Sequence, residues 1–322
     1  MNSPITPKSN WLTQSAIVIS EVDSVHKMYS QLTQKAHWKV VETTNSPVHA
    51  MQQVRNGVVN LVLIDDSVMK PSSFYVRQFI TDPQMLCTPM LAFSLADRSI
   101  DAAALMKLGC EVVTKPITPA TFWPKFNELI RRWESPTHTT LRKLSYLHTK
   151  VADEQLLPTL TKLMAEQEVQ HLCAQYIAIK LRRQNRFKEA EQILLSAIKK
   201  APKQLSTVLA LVDLYFQAGV PKIAHQVLTS ARNAHGATRM VVPDLAQAAI
   251  MLGRIDEAID TLQQIAKTEN PDPLSIDFLS RLLYAAGRDN EAEQLLNRIS
   301  KSFKKFQSAW LNAESPPALP RR

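Results

Sequence analysis

Glycine is scarce, with 6 residues in 322. A glycine-rich loop that cradles a nucleotide's phosphates needs several glycines close together, so that class of enzyme is not expected. Cysteine is scarcer still. Cys87, Cys110 and Cys173 stand far apart with no CxxC and no Cys/His spacing, which argues against a disulfide framework and against a zinc site. Buried free thiols are the expectation. No apolar run approaches the roughly 18 residues that a membrane span needs, and the start, "MNSPITPKSNW", carries no apolar signal segment. The expected location is therefore the cytoplasm. No catalytic triad or cluster of metal-ligating residues is visible either, and the chain is not expected to be an enzyme.

What the sequence does have is material for two cores. Hydrophobic residues make up 45% of 322 positions, which suits two domains of about 100–200 residues each. The net charge of +9 is unevenly placed: residues 1–134 hold 13 Lys and Arg against 11 Asp and Glu, and residues 135–322 hold 25 against 18. The second part thus carries most of the positive field, which opens nucleic acid, an acidic lipid surface or an acidic protein as partners.

From residue 15 to residue 133, short apolar runs alternate with helical patterns, the signature of β-α units around a parallel sheet. Strands are expected at "AIVIS" (16–20), "KVVET" (39–43), "VNLVLI" (59–64), "PMLAFS" (89–94) and "EVVT" (111–114), and the last helix at "TPATFWPKFNELIRRW" (118–133). The third run, apolar on both sides of its alternation, reads as a strand buried on both faces that delivers Asp65 to its carboxyl end. In open α/β sheets that edge is where ligands bind. Five strands and five helices in this span fit a flavodoxin-like order.

Four strand ends would then bring Glu21, Asp65, Ser94 and Lys115 to one edge. With "VISE", "LVLID", "PMLAFS" and "GCEVVTKP" in this order, residues 14–134 resemble the receiver domain of bacterial two-component response regulators. The resemblance implies Mg2+-dependent phosphoryl transfer from a histidine kinase or a phosphotransfer protein. Asp65 would be phosphoacceptor and metal ligand, Glu21 the second metal ligand, Lys115 the cation that pairs with the phosphoryl oxygens, and Ser94 the hydroxyl that reports the new charge.

The segment departs from that pattern in three places. The family's paired acids would fall at positions 20 and 21, and the first is Ser20. Two carboxylates about 5 Å apart repel by roughly 3 kcal/mol at an effective dielectric of 20, so losing one weakens both the repulsion and the pull on magnesium. Asp23, just before an apolar helix, suits an N-cap better than a metal ligand. The family's D-x-x-M-P pattern meets "DDSVMKP": the end of the strand selects Asp65, while aligning Met69 selects Asp66, with an extra residue near Lys70. Third, a position that is aromatic in receivers that switch by swinging a ring is Val112.

The second part repeats. Ala190, Ala224, Ala258 and Ala292 lie 34 residues apart; Leu194, Leu228, Leu262 and Leu296 follow each by four; Asn185, Gly219, Gly253 and Gly287 precede each by five. "NRFKEAEQILLSA", "GVPKIAHQVLTSA", "GRIDEAIDTLQQI" and "GRDNEAEQLLNRI" are therefore in register. This period resembles tetratricopeptide (TPR) repeats over residues 171–302. Gly or Asn would end each first helix in a left-handed conformation, and the small alanine would let the second helix approach closely. Ala178, Ala246 and Ser280, twelve residues earlier, supply small partners, with Val212 the exception.

The resemblance implies an α-solenoid whose concave groove binds a peptide. By the family's geometry that groove would be lined by Gln175, Ile179, Arg182 and Arg183, then Asp213, Phe216 and Gln217, then Gln247 and Met251, then Asp277, Arg281 and Tyr284. Their chemistry suits a partner with apolar anchors and some acidic residues. The carboxylate clamp of chaperone-binding members is missing.

Between the halves, residues 135–170 are expected to open on a hinge, "SPTHTT", and to continue as helices that cap the solenoid or form a homodimer seam. Residues 303–322 are expected to form a capping helix, with Phe303, Phe306 and Trp310 on one stripe, and a disordered tail. The reading is a bacterial signalling adaptor: α/β plus all-α, a receiver followed by a protein-binding array. The alternatives are a scaffold in which Asp65 and Lys115 are a structural ion pair, and a nucleic-acid-binding protein that uses the basic second half.

Overall fold

The computed structural model describes residues 14–22, 25–65, 72–94, 99–147, 152–235, 240–267 and 273–297. Asp23, Asp66, Met69, Lys70 and residues 303–322 lie outside them.

The first part is built from β1 (Ser15–Ile19), α1 (Val25–Gln34), β2 (Lys39–Thr44), α2 (Pro47–Arg55), β3 (Leu61–Asp65), α3 (Ser72–Phe79), α4 (Pro83–Leu86), β4 (Met90–Ser94), α5 (Ser99–Lys107), β5 (Glu111–Thr114) and α6 (Pro119–Trp133). The five strands form one parallel sheet in the order β2-β1-β3-β4-β5. Every residue of β1, β3 and β4 is buried, as expected of strands with helices on both faces. All five expected strands are present, within two residues at each end. The sequence reading missed α4. Asp82 caps this short helix by accepting from the Gln84 and Met85 N–H groups, and Pro83 fixes its first turn. At α6 the Thr118 cap falls at the expected start, with Thr121 completing a reciprocal capping pair.

No hinge follows, contrary to expectation. Pro136 opens α7 (Pro136–Leu147) with only two residues between it and the end of α6, and the Ser135 hydroxyl accepts from the His138 N–H. A proline at the first helical position and a serine just before it start a helix rather than a flexible joint. α7 then buries His138, Leu141, Arg142 and Ser145. Arg142 donates to the backbone carbonyl and side-chain Oδ1 of Asn60 at 3.3 and 2.9 Å, and the Tyr146 hydroxyl reaches the same Oδ1 at 2.7 Å. From the far side, the Tyr176 hydroxyl donates to the Leu144 carbonyl at 3.2 Å. The segment is a wedge between the two halves, and α8 (Asp153–Leu163) continues onto the array.

The array comprises α9 (Gln170–Arg183) with α10 (Phe187–Lys200), α11 (Leu205–Gln217) with α12 (Pro221–His235), α13 (Val242–Met251) with α14 (Ile255–Ala266), and α15 (Pro273–Ala285) with α16 (residues 289–297). The 34-residue register is realised. Ala190, Ala224, Ala258 and Ala292 are completely buried, and so are Leu194, Leu228 and Leu262, while Leu296 of the last hairpin is exposed. Each first helix ends at a residue with positive φ: Asn185 at 60°, Gly219 at 69°, Gly253 at 74° and Gly287 at 71°. A left-handed residue lets the backbone reverse and feeds its N–H back to the preceding turn, as Asn185 to Arg182 at 3.0 Å.

One contiguous cluster of buried side chains runs from the sheet through Leu141 and Leu156 as far as Ala248. A second, smaller cluster holds Val242 through Ala292. The core therefore does not break where the α/β pattern ends; it divides inside the array, at α13.

Candidate functional site

Asp65 closes β3 and pairs in register with Phe93 of β4, while Ser94 pairs with Thr114 of β5. Lys115 follows at once, its N–H bonded to the Ser94 carbonyl at 2.8 Å. The sheet thus brings Asp65, Ser94 and Lys115 to one edge, with Glu21 two residues beyond β1. Lys115 Nζ lies 2.8 Å from Asp65 Oδ1, and the Lys115–Pro116 bond is cis. Asp65 and Ser94 are buried, while the Lys115 side chain is 24% exposed.

A tyrosine completes the carboxylate's surroundings. Tyr29 of α1 donates its hydroxyl to the same Oδ1 that meets Lys115, and its ring lies 4.5 Å from that of Phe93. The sequence reading missed it. The signal was there: Val25, Tyr29, Leu32 and Thr33 fall at helical spacing on the core face, and a tyrosine buried in such a stripe needs a partner for its hydroxyl. Asp65 is therefore a buried carboxylate compensated by one cation and one hydroxyl, the arrangement that makes such a group tolerable in a core.

Of the two positions where the resemblance expects paired acids, the first is Ser20. Ser20 is 1% exposed and its hydroxyl accepts the Val22 N–H at 3.0 Å, so it closes a local turn. Among the described residues no group of three His, Cys, Asp or Glu could hold a metal ion. Asp65 and Glu21 are oxygen donors of the kind magnesium prefers, and Asp65 already holds a lysine and a tyrosine. Val112 is 8% exposed on β5, with no aromatic ring at that position to swing.

The expected groove residues fall into two groups. Gln175 and Ile179 are buried, so the first hairpin presents neither: Gln175 Nε2 donates to the Ser206 and Thr207 hydroxyls at 3.0 and 3.2 Å, joining α9 to α11. Asp213 is not open either. Arg77 of α3 reaches across and donates to both its oxygens, at 3.0 and 2.7 Å, and to Asp244 of α13 at 2.8 Å. Arg182 is half-buried and lines the same seam with Ile80 and Thr81, leaving a crevice of about 10 Å³, room for one water at most. Phe216 is half-buried against the core, and Arg183 and Gln217 are exposed.

Toward the C-terminal end the face is open. Gln247 and Asp277 are exposed, Arg281 pairs with Asp277 at 3.0 Å while staying largely exposed, and Met251 and Tyr284 are each 43% exposed. The twelve expected groove residues are thus not all available, for a physical reason: the α/β half has faces of its own to bury, and α4, α5 and Arg77 of α3 come to rest on α9, α11 and α13.

Charge on the array is partly self-neutralised at one repeat position. Arg186 with Glu189, Arg254 with Glu257 and Arg288 with Glu291 form i,i+3 pairs at the start of each second helix except the second hairpin's. No helix among the described residues is long and apolar enough to cross a membrane.

A scan against family models finds no match, and neither does a search of curated proteins. Among solved structures, MamA from residue 41 to the end, from Desulfovibrio magneticus RS-1, aligns over 53% of this chain and 97% of its own, at 12% identity and a TM-score of 0.41. MamA of AMB-1 aligns over 46% and 81%, at 19% identity and 0.36. MamA of MSR-1 aligns over 65% and 94%, at 16% identity and 0.35. With TM-scores this low the likeness assigns neither a fold nor a function to this chain.

Proposed function

We propose that the chain is a protein-binding scaffold. A receiver-like α/β domain of flavodoxin-like order is fixed against one half of the concave face of a TPR-type array, and the other half takes the partner. The observation that carries this is the division of the face: Gln175, Ile179 and Asp213 are covered from within the chain, while Gln247, Met251 and Tyr284 are open. Two large apolar side chains on an open concave face, beside the Asp277–Arg281 pair, suit a peptide with an apolar anchor. Selection of displayed peptides on the full chain tests it. The scaffold reading expects an enriched family of sequences whose binding is lost in Met251→Ala with Tyr284→Ala; enrichment indifferent to that double change contradicts it.

The Asp65 edge supports a second reading, phosphoryl transfer to Asp65 from a histidine kinase or a phosphotransfer protein. Its support is the placement of the Lys115 ammonium 2.8 Å from a carboxylate at the end of β3, with Ser94 at the neighbouring strand end. In that reading Lys115 would hold the phosphoryl oxygens and Ser94 would bond to them, both from positions already fixed by the sheet. Exposure to beryllofluoride, with and without magnesium, separates the two. A rise in thermal midpoint that vanishes in Asp65→Asn supports the switch; no response at millimolar magnesium leaves Asp65 and Lys115 as a structural ion pair. The nucleic-acid reading gains no comparable observation, since three of the array's arginines are already engaged with glutamates.

A further inference from the structure

Arg77 does more than fill space at the seam. Its guanidinium lies as a fork on Asp213, Nη1 to Oδ2 at 3.0 Å and Nη2 to Oδ1 at 2.7 Å, and Nη2 also meets Asp244 Oδ2 at 2.8 Å. A planar fork matched to both oxygens of one carboxylate is specific to arginine; a lysine ammonium cannot reproduce it. The two acids come from α11 and α13, the first helices of successive hairpins, so the site belongs to the array and not to the domain that supplies the arginine.

The site is also built to want a cation. Burial pushes the Asp244 carboxyl up from its ordinary value, and Arg77 is the group that pulls it back. Burial works against the charge of Arg77 as well, and Asp244 and Asp213 more than offset it, holding that guanidinium above its ordinary value. Without Arg77, two acids would face each other; Arg182 lies near, and the Asp213 charge partly offsets the burial that pulls the Arg182 guanidinium down. Both acids keep about a fifth of their side chain in contact with solvent, 21% and 23%, so the site lies at the surface of the array and is capped rather than entombed.

We infer that Asp213 and Asp244 form an arginine-binding site on the concave face, filled here in cis by Arg77, and that an arginine-bearing peptide segment of a partner enters it when Arg77 is displaced. This deepens the scaffold reading, on which it rests, by naming the partner chemistry for the covered half of the face. α3 begins seven residues after Asp65, so the helix that carries the plug is the next element after the sheet-edge carboxylate.

The probe is a fluorescein-labelled peptide of residues 72–82, SSFYVRQFITD, offered in trans to the full chain and followed by anisotropy. The Arg77→Ala chain should bind it roughly tenfold or more tighter than wild type, the loss of a desolvated charge pair being of that order. The gain should disappear when Asp213→Ala is added, or when the peptide carries alanine in place of its arginine. Equal binding by the wild-type and Arg77→Ala chains, or binding indifferent to the peptide's arginine, overturns the inference. Arg77→Lys, which keeps the charge and loses the fork, guards against a folding artefact: with its thermal midpoint near wild type it should still gain affinity, and no gain counts against the site. Neither result depends on Met251 or Tyr284, so failure here is distinguishable from failure of the scaffold reading.

Discussion

The two halves of the array's face share one 34-residue register in sequence and have opposite fates in the structure. The half made by α9, α11 and the start of α13 is closed by α4 on α9, by α5 on α11 and by Arg77 of α3, which Asp213 and Asp244 grip. The half made by the end of α13 and by α15 keeps Met251 and Tyr284 in solvent. A repeat therefore determines which residues face the groove, and the neighbouring domain determines which of those remain available. The buried clusters divide at the same place: the larger one binds the sheet, the wedge and the first two hairpins into one body, and the smaller one holds the third and fourth hairpins.

The largest expected effect breaks the closed half by acid. His138 and His171 lie where α7 meets α9, and burial holds each ring well below its ordinary value, at about 4, with Glu168 opposing the shift at His138 and the His138 and Arg132 charges adding to it at His171. The unfolded chain binds these protons near pH 6.5 and the folded chain resists them, so stability is complete above about 6.5 and is lost as pH falls toward 4, by up to roughly 3 kcal/mol for His138 alone. Thermal midpoints across that window should fall in wild type and flatten in His138→Gln with His171→Gln. Next comes Arg77→Ala, which should cost about 2–3 kcal/mol by leaving two carboxylates face to face, seen as a lower denaturation midpoint. Gly253→Ala, at a φ of 74° with open space around it, should cost about 1 kcal/mol through backbone strain alone, and the loss should be confined to the third and fourth hairpins. Smallest of all, Met251→Ala and Tyr284→Ala should each move stability by about 0.5 kcal/mol or less, both side chains being exposed, while the proposed scaffold role expects them to abolish partner binding.

What was legible in the sequence follows the same division. The repeat register placed four buried alanines and four left-handed turns correctly because each hairpin repeats one local solution, and periodicity exposes it. The strand ends that carry Asp65, Ser94 and Lys115 were legible because a buried strand stops abruptly at its polar residue. The seam was not. Nothing in the spacing of Asp213 says that an arginine 136 residues earlier will reach it. The proposed hinge failed for a related reason: "SPTHTT" is polar and reads as a loop, yet proline at the first helical position and a serine before it start a helix, and His138 and Arg142 are polar residues that α7 buries. Tyr29 was missed because its stripe reads as core, and a hydroxyl's partner is set by the tertiary fold.

The most direct test of the divided face is amide hydrogen exchange on the full chain, wild type against Arg77→Ala. The account predicts that protection falls together in α3, α11 and the start of α13, three segments far apart in sequence, while α15 exchanges as before. Loss confined to α3, or an equal change in α15, would contradict it, since the clasp would then hold nothing closed or the two halves would not be distinct.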